Sequence, residues 1–288
     1  MFAFTHLDRE KHGTPEFPAE YYYVDSKHPR YQMPFHWHND WELLQVLDGS
    51  LQLSLGEEQF SVQAGDVVLI RGGTLHGGVP CECVYEGLVF DLYGMFRTMD
   101  MVKKYLRPFY RQALIPQCFF PAEDAGVIHS VTEEIMMVFR DNREETCPEL
   151  ETVAGLGKLF AWLLKNKRYR ESSRDLFANL HRIDQIKTVL EYIETNYSSS
   201  LSLEALAKVV GMNPKYFCRV FASLLHQSPM DYVNFYRVEQ AAYLLDSTDR
   251  SVTAVGMECG FSESSYFTKV FKKYKGVTPK KYRQQQSE

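Results

Sequence analysis

Leu203-Glu-Ala-Leu-Ala-Lys-Val-Val-Gly211-Met-Asn-Pro-Lys-Tyr-Phe217-Cys-Arg-Val-Phe221 is followed further along by Val252-Thr-Ala-Val-Gly-Met-Glu-Cys-Gly260-Phe-Ser-Glu-Ser-Ser-Tyr-Phe267-Thr-Lys-Val-Phe271. Gly211 meets Gly260 at an offset of 49; Phe217, Phe221, Pro229 and Tyr232 meet Phe267, Phe271, Pro279 and Tyr282 at an offset of 50. The one-residue slip falls just after the glycine, where a turn absorbs it. Two copies are too few to stack a solenoid, so they read as a pair of small modules.

Each copy reads as helix, tight turn, helix. In the first, Leu203, Leu206, Ala207 and Val210 recur at helical spacing. Gly211 ends that helix, Asn213 caps the next and Pro214 suits its first position. Phe217, Val220, Phe221 and Leu224 form the buried stripe of the second helix. In the second copy Val252, Val255 and Gly256 line one helix, Gly260 turns, Ser262 is expected to cap, and Phe267, Val270, Phe271 and Tyr274 pack. Small Ala207 and Gly256 stand where two helices must approach closely. Short helix pairs are common in all-α proteins, but two matched copies flanking one amphipathic helix (residues 230–246) are specific. The pattern is that of helix-turn-helix modules, whose second helix lies in the DNA major groove.

Residues 184–283, about a third of the chain, resemble the DNA-binding domain of the AraC/XylS family of transcription regulators. The residues that carry the resemblance are Leu203-x-x-Leu-Ala, Gly211, Phe217-x-x-x-Phe221, Ser228-Pro229, Arg237-x-x-x-Ala241-x-x-Leu244-Leu245, Gly260-Phe261-Ser262, Tyr266-Phe267-x-x-x-Phe271-Lys272-Lys273 and Gly276-Val-Thr-Pro279-x-x-Tyr282-Arg283. The first copy departs at His226-Gln227, where glycine is usual before Ser-Pro. Burying Phe217 and Phe221 turns Lys215, Cys218 and Arg219 outward; burying Phe267 and Phe271 leaves Ser264, Ser265, Thr268 and Lys269 outward. These match the family's base-reading positions, and Arg219 and Lys269 suit guanine or phosphate contacts.

Charge divides along the chain. Residues 1–175 carry 18 Lys+Arg against 26 Asp+Glu, a balance of −8; residues 176–288 carry 14 against 11, a balance of +3. Lys269, Lys272, Lys273, Lys275, Lys280, Lys281 and Arg283 crowd the end, and charge placed there reads as phosphate-contacting. A hydrophobic content of 45% and a charged content of 24% are ordinary for a globular protein, and 288 residues hold two domains. Residues 1–10 lack a basic start with an apolar run, and no stretch approaches a membrane span, so a cytoplasmic protein without a membrane partner is expected. Six scattered cysteines read as reduced; Cys81 and Cys83 alone are too sparse for a zinc ribbon.

Residues 1–92 alternate in a β manner. Candidate strands are 21–25, 42–47, 51–55, 59–62, 66–70 and 84–90, separated by turns at Asp48-Gly49, Gly56, Gly65 and Gly72-Gly73. Many short strands at close spacing predict a sandwich or small barrel. One constellation adds chemistry: His36-Trp-His38-Asn-Asp-Trp-Glu42 before Gly49, then Gly65, Arg71-Gly-Gly73 and His76. It resembles both motifs of the cupin barrel, with Arg71 in place of the usual Pro and Pro80 in place of the usual Asn. The resemblance puts His36, His38, Glu42 and His76 where metal-binding cupins place ligands. Positions 36, 38, 40 and 42 share a face if the strand is regular. Three imidazoles and a carboxylate suit a divalent transition metal; equally, they can hydrogen-bond an effector or one another. Trp37 and Trp41, of opposite parity, read as packing residues.

Beyond the barrel, residues 93–106 predict a helix stopped before Pro108, and 115–120 an extended segment. Two amphipathic helices follow, 123–141 and 148–167, linked through 142–148 and expected to be antiparallel. The family resemblance implies that one of their faces forms a homodimer contact. Residues 168–182, polar and charge-rich, read as a linker, and 183–197 as the helix that opens the DNA-binding domain.

The expected fold is α+β. Residues 1–115 form a cupin-like effector-sensing barrel and 116–175 a helical dimerisation segment and linker. Residues 176–288 form an all-α domain with two helix-turn-helix motifs. The expected function is sequence-specific regulation of transcription in response to a small molecule. Its partners would be promoter DNA, a second copy of the chain and, for an activator, RNA polymerase. The resemblance makes a carbohydrate or derivative the expected effector, bound through His36, His38, Glu42 and His76. The barrel residues leave two alternatives open: a metal-dependent oxygenase or isomerase fused to a DNA-binding domain, and a regulator whose barrel only dimerises.

Overall fold

A computed structural model describes residues 12–28, 31–124, 126–140, 147–172 and 174–286. The chain divides after Asn179 into two compact units. The expected link at 142–146 and the first ten residues lie outside the described residues.

The N-terminal unit runs β1 (Ala19–Val24), β2 (Met33–His36), β3 (Trp41–Leu55), β4 (Glu58–Gln63), β5 (Val67–Ile70), β6 (His76–Phe90), α1 (Leu92–Met95), α2 (Asp100–Tyr110), β7 (Leu114–Pro116), β8 (Phe119–Phe120), α3 (Val127–Arg140), α4 (Pro148–Lys165) and β9 (Tyr169–Glu171). Seven strands form one antiparallel sheet in the order β1-β6-β3-β5-β8, with β2 also on β6 and β4 on β3. β7 and β9 form a separate pair.

The two candidate strands at 42–47 and 51–55 are one 15-residue strand, so Asp48-Gly49 is not a hairpin turn. The β3/β6 ladder shifts register between Val46 and Ser50. Gly49 has φ +69 on one strand and Glu82 has φ +45 on the other. A Cβ on Gly49 would lie 2.0 Å from the Glu82 carbonyl oxygen, so the paired kink needs glycine. An extra residue on each strand flips which side chains face inward. Leu44 and Val46 before the kink, and Leu51, Leu53 and Leu55 after it, therefore join one core with Val68, Ile70 and Tyr85.

The opposite face is covered by helices. Trp41, Leu43, Leu88 and Phe90 share a core with Ile128, Val131 and Ile135 of α3 and Leu156, Leu159, Phe160 and Leu163 of α4. Gly155 lets α3 and α4 touch, since a Cβ there would meet Ile135 at 2.7 Å. Arg140 at the end of α3 makes two bonds to Glu86 of β6, from Nε at 3.0 Å and from an Nη at 2.8 Å. Tyr21 Oη donates to the same carboxylate at 2.7 Å. Most of the apolar stripe of α4 is thus consumed inside the chain, while Leu150 and Met137 stay exposed.

Two helix boundaries differ from expectation. The 93–106 helix is split into α1 and α2, and Pro108 lies inside α2 rather than beyond its end. Proline lacks the N–H that would bond the carbonyl of residue 104, and its ring crowds that carbonyl, so α2 carries a local cost there and ends two residues later. The segment 168–182, read as a linker, contains β9 and the first turns of the next helix.

That helix, α5 (Arg174–Asn196), is followed by α6 (Leu203–Val209), α7 (Pro214–Leu225), α8 (Pro229–Ser247), α9 (Val252–Glu258), α10 (Ser264–Lys275) and α11 (Pro279–Gln286). Ser202, Asn213, Ser228 and Ser251 each accept a backbone N–H at the start of a helix. Ser262 does not: α10 begins at Ser264, and its N-cap Glu263 makes no side-chain bond. Glu263 is the true counterpart of Asn213 at the offset of 50, so the second module caps without a side chain what the first caps with one. Gly256 admits the Phe267 ring, whose Cδ1 would lie 2.7 Å from an added Cβ.

Arg237 of α8 holds the unit together. Its Nε donates to Tyr197 O and an Nη to Ser199 O, each at 2.8 Å. Both carbonyls follow the C-terminus of α5. Gly260, with φ +86, packs on the same guanidinium. One arginine thus ties the opening helix to the turn of the second module.

Candidate nucleic-acid interface and ligand site

The second helices of the two modules, the candidate recognition helices, are α7 and α10. Phe217, Val220, Phe221, Leu224 and Leu225 bury one face of α7; Phe267, Val270 and Phe271 bury the matching face of α10. The Phe217 and Phe221 rings meet edge to face at 5.5 Å, and Phe267 and Phe271 at 5.6 Å. This packing fixes the opposite face. Lys215 and Arg219 are exposed and Cys218 is half-buried; Ser264, Ser265 and Lys269 are exposed and Thr268 is half-buried. All seven residues fall on the unburied side of the helices. Two are engaged locally: Arg219 lies over the Tyr216 ring at 5.2 Å, and Thr268 Oγ1 bonds Ser264 O at 2.9 Å. Exposed Tyr266 shares this side, and its hydroxyl accepts from Asn234 at 3.0 Å. Sequence reading quoted it only as part of the family motif and not among the outward-facing residues.

The basic tail is not uniformly free. Lys273 pairs with Asp231 at 3.1 Å and Lys275 with Glu239 at 2.8 Å. Lys269, Lys272, Lys280 and Lys281 are exposed cations.

In the N-terminal unit, His36, His38, Glu42 and His76 come together, but not by alternation along one strand. β2 ends at His36, residues 38–40 form a corner, and β3 begins at Trp41. His36 stands opposite His76 in the β2/β6 register. One ring nitrogen from each of the three histidines lies within 4.8 Å of the others. The Glu42 carboxylate is 3.2 Å from His38 Nε2 and 3.2 Å from His76 Nε2.

The hydrogen bonds assign the tautomers. Nδ1 of His36 faces Pro34 O at 2.9 Å, Nδ1 of His38 faces Asp40 O at 2.9 Å, and Nδ1 of His76 faces Thr74 O at 2.8 Å. A carbonyl only accepts, so each Nδ1 carries the proton and each neutral ring keeps its lone pair on Nε2. Those lone pairs converge beside a carboxylate that is itself an acceptor. His76 Nε2 is buried without a hydrogen bond. A buried set of acceptors facing one another is costly unless a cation or donor joins them. Desolvation lowers the His36 pKa to about 3, helped by His76 and His38. Burial would raise the Glu42 carboxyl, but the His38 and His76 rings beside it, when they carry a proton on Nε2, hold it well below its ordinary value. The donor set therefore fits a divalent transition metal.

Sequence reading missed two neighbours, Tyr22 and His12. Tyr22 Oη bonds the other oxygen of Glu42. His12 Nδ1 lies 2.8 Å from Asp40 Oδ2, and its ring is 5.3 Å from that of His38. The run Tyr21-Tyr22-Tyr23 on one strand was a signal for the first: adjacent residues point to opposite faces, so Tyr21 reaches Glu86 and Tyr22 reaches Glu42. Trp41 packs on Phe109 and Phe160, as expected of a packing residue.

Two family models match the chain: a helix-turn-helix domain over residues 206–285 and an AraC-like ligand-binding domain over residues 18–83. An uncharacterised HTH-type transcriptional regulator, YdeC of Bacillus subtilis, is 25% identical over 96% of this chain and 95% of its own length. The melibiose operon regulatory protein of Escherichia coli is 22% identical over 90% of this chain and 86% of its own. The HTH-type transcriptional activator RhaS of Escherichia fergusonii is 25% identical over 95% and 96%. These relatives are regulators, which sets aside the enzyme alternative. No described helix is long and apolar enough to cross a membrane. With an AraC-like ligand-binding domain followed by paired helix-turn-helix modules, the chain belongs to the AraC family of transcription regulators.

Proposed function

We propose that the protein is a cytoplasmic homodimer that binds promoter DNA through α7 and α10 and responds to a sugar-like effector in its N-terminal unit. The observation that carries the DNA half is the matched pair of recognition faces. Lys215, Cys218 and Arg219 on α7, and Ser264, Ser265, Thr268 and Lys269 on α10, read bases or touch phosphates. Two modules joined by α8 would address successive major-groove segments about one helical turn apart. The activator among the relatives supports contact with RNA polymerase.

The effector half rests on His36, His38, Glu42 and His76. These residues would hold a divalent metal, which would supply a Lewis-acidic contact for an effector oxygen. The chain's own residues fix the imidazoles through backbone carbonyls and present Glu42 between His38 and His76. The relative named for a melibiose operon supports a carbohydrate effector.

Mapping genomic binding sites and reading what the adjacent genes metabolise tests the function and supplies the inducer. With that inducer, melting temperature and transcriptional response are measured for His38→Ala and His76→Ala. A folded protein that binds DNA but no longer responds is the expected result. Unchanged stability with unchanged response removes these residues from the site. Stoichiometric metal in the wild type, lost in His36→Ala, is the result expected of a metal centre.

A further inference from the structure

A cavity of about 210 Å³ lies beside the histidine cluster, but none of His36, His38, Glu42 and His76 lines it. Its walls come from the 71–73 loop, Asn39 and Trp41 on one side and from Asp91, Tyr93, Phe109, Tyr110 and Gln112 on the other. Ile70 points into the inner core, so Arg71, the next residue, points outward. Trp41 belongs to the outer core and stacks edge to face on Phe109.

Arg71 is the unusual member. Its Nη1 is buried without a hydrogen-bond partner. Arg170, another cation, is its charged neighbour, and desolvation lowers the Arg71 pKa. A guanidinium is not deprotonated in proteins, so a charge is held here without a counter-charge. Arg71 is half-buried, but a guanidinium nitrogen shut off from water without a partner is costly, and a carboxylate is the group that matches its fork. Asp91 is not that group. One of its oxygens accepts the Tyr93 N–H at 2.9 Å, capping α1, and no carboxylate forms an ion pair with Arg71 among the described residues. The Tyr93 and Tyr110 rings meet edge to face at 5.6 Å, and Tyr93 is exposed enough to receive a ring. Asn39 and Gln112 add neutral polar groups.

We propose that this cavity is a second ligand site, separate from the histidine cluster, that takes a small carboxylate through Arg71 with its body against the aromatic wall. The volume is below the roughly 300–1,000 Å³ of drug-sized pockets, so the occupant is a molecule of about ten heavy atoms. Both an aromatic acid and a sugar acid offer that chemistry.

The test uses the full-length protein and four probes: benzoate and glucuronate, each beside its neutral counterpart, benzyl alcohol and glucose. Calorimetry is run on the wild type, Arg71→Met, Arg71→Lys and His38→Ala. At least one acid should bind in the millimolar range or tighter, and its neutral counterpart at least tenfold more weakly. Arg71→Met should lose that binding tenfold or more, Arg71→Lys should keep part of it, and His38→Ala should leave it unchanged. Which acid binds identifies the source. Three outcomes overturn the proposal: neither acid binds at 20 mM (roughly the weakest affinity of interest), Arg71→Met binds as well as the wild type, or binding depends on His38 instead. Arg71→Met relieves an unpaired charge, so its melting temperature should not fall. If it does, Arg71→Lys decides: loss of acid binding in a folded Arg71→Lys protein also counts against a charge-based site.

Discussion

Arg237→Met should unfasten the helical unit while leaving the barrel intact. The side chain is nearly buried, at 9% exposure. It makes two charge-assisted bonds of 2.8 Å, to Tyr197 O and Ser199 O. Each such bond contributes about 1.5–3 kcal/mol, and the two carbonyls would be left without their donor. Methionine keeps much of the stem volume, so packing loss is small. Removing a desolvated guanidinium returns part of the cost. The net loss is about 3 kcal/mol, a large fraction of the roughly 5–15 kcal/mol that holds a domain. With a urea slope of about 1–1.5 kcal/mol per molar for a unit of this size, the midpoint should fall by about 2–3 M.

The assay follows from where the tryptophans lie. All three, Trp37, Trp41 and Trp162, are in the N-terminal unit. Tryptophan fluorescence therefore reports that unit, while far-UV circular dichroism also follows the helices of the other. In parallel urea titrations the dichroism curve of Arg237→Met should split, with its helical component shifted and the fluorescence curve unmoved. Arg237→Lys should fall between, since lysine keeps the charge but not the fork. A dichroism shift below about 0.5 M would refute the reasoning, because at that slope the clamp would contribute under about 1 kcal/mol. An equal shift in both signals would refute it too.

Residues 180–288 alone should bind promoter DNA, with affinity falling steeply as salt rises; a folded fragment no better on the promoter than on random DNA at low salt would refute this. Arg219→Ala and Lys269→Ala should each weaken specific binding by about 1–3 kcal/mol, whereas Lys281→Ala should weaken all sequences alike. Gel-shift titrations against matched and scrambled sites distinguish these, and unchanged affinity in both helix variants would mean the outward face is misassigned. Gly256→Ala should destabilise by about 1–3 kcal/mol through overpacking against Phe267, read as a lower midpoint in the dichroism titration. Residues 1–179 should scatter light as a dimer without DNA. Because α4 spends most of its apolar stripe internally, the contact should be sensitive to Leu150→Lys and Met137→Lys, and a monomer at micromolar concentration would count against it.

The duplicated helical pattern was legible because its periodicity is local. Phenylalanines four apart, a glycine at each turn and a polar cap before every module helix but α10 specify both modules, and burying those rings fixes which residues face outward. The capping error at Ser262 came from reading the nearest serine instead of following the offset to Glu263. The barrel was legible only in part. Strand alternation located most strands, but Asp48-Gly49 has the composition of a hairpin turn and instead kinks one long strand. Nothing near Gly49 announces Glu82 on the strand opposite, so the paired kink and the parity change it imposes were tertiary facts. The histidine cluster shows the same division. His36, His38, Glu42 and His76 were identified from sequence as a group, yet they converge around a corner and across the β2/β6 register. Tyr22 and His12 join them from segments with no motif. Local periodicity and steric pattern therefore determined each helix-turn-helix module, whose packing contacts lie within a few turns of chain, while the Arg237 clamp between them is long-range. Long-range pairing decided the candidate ligand sites: which nitrogens converge, and which arginine nitrogen is left without a partner, depends on strands and loops that meet only after folding.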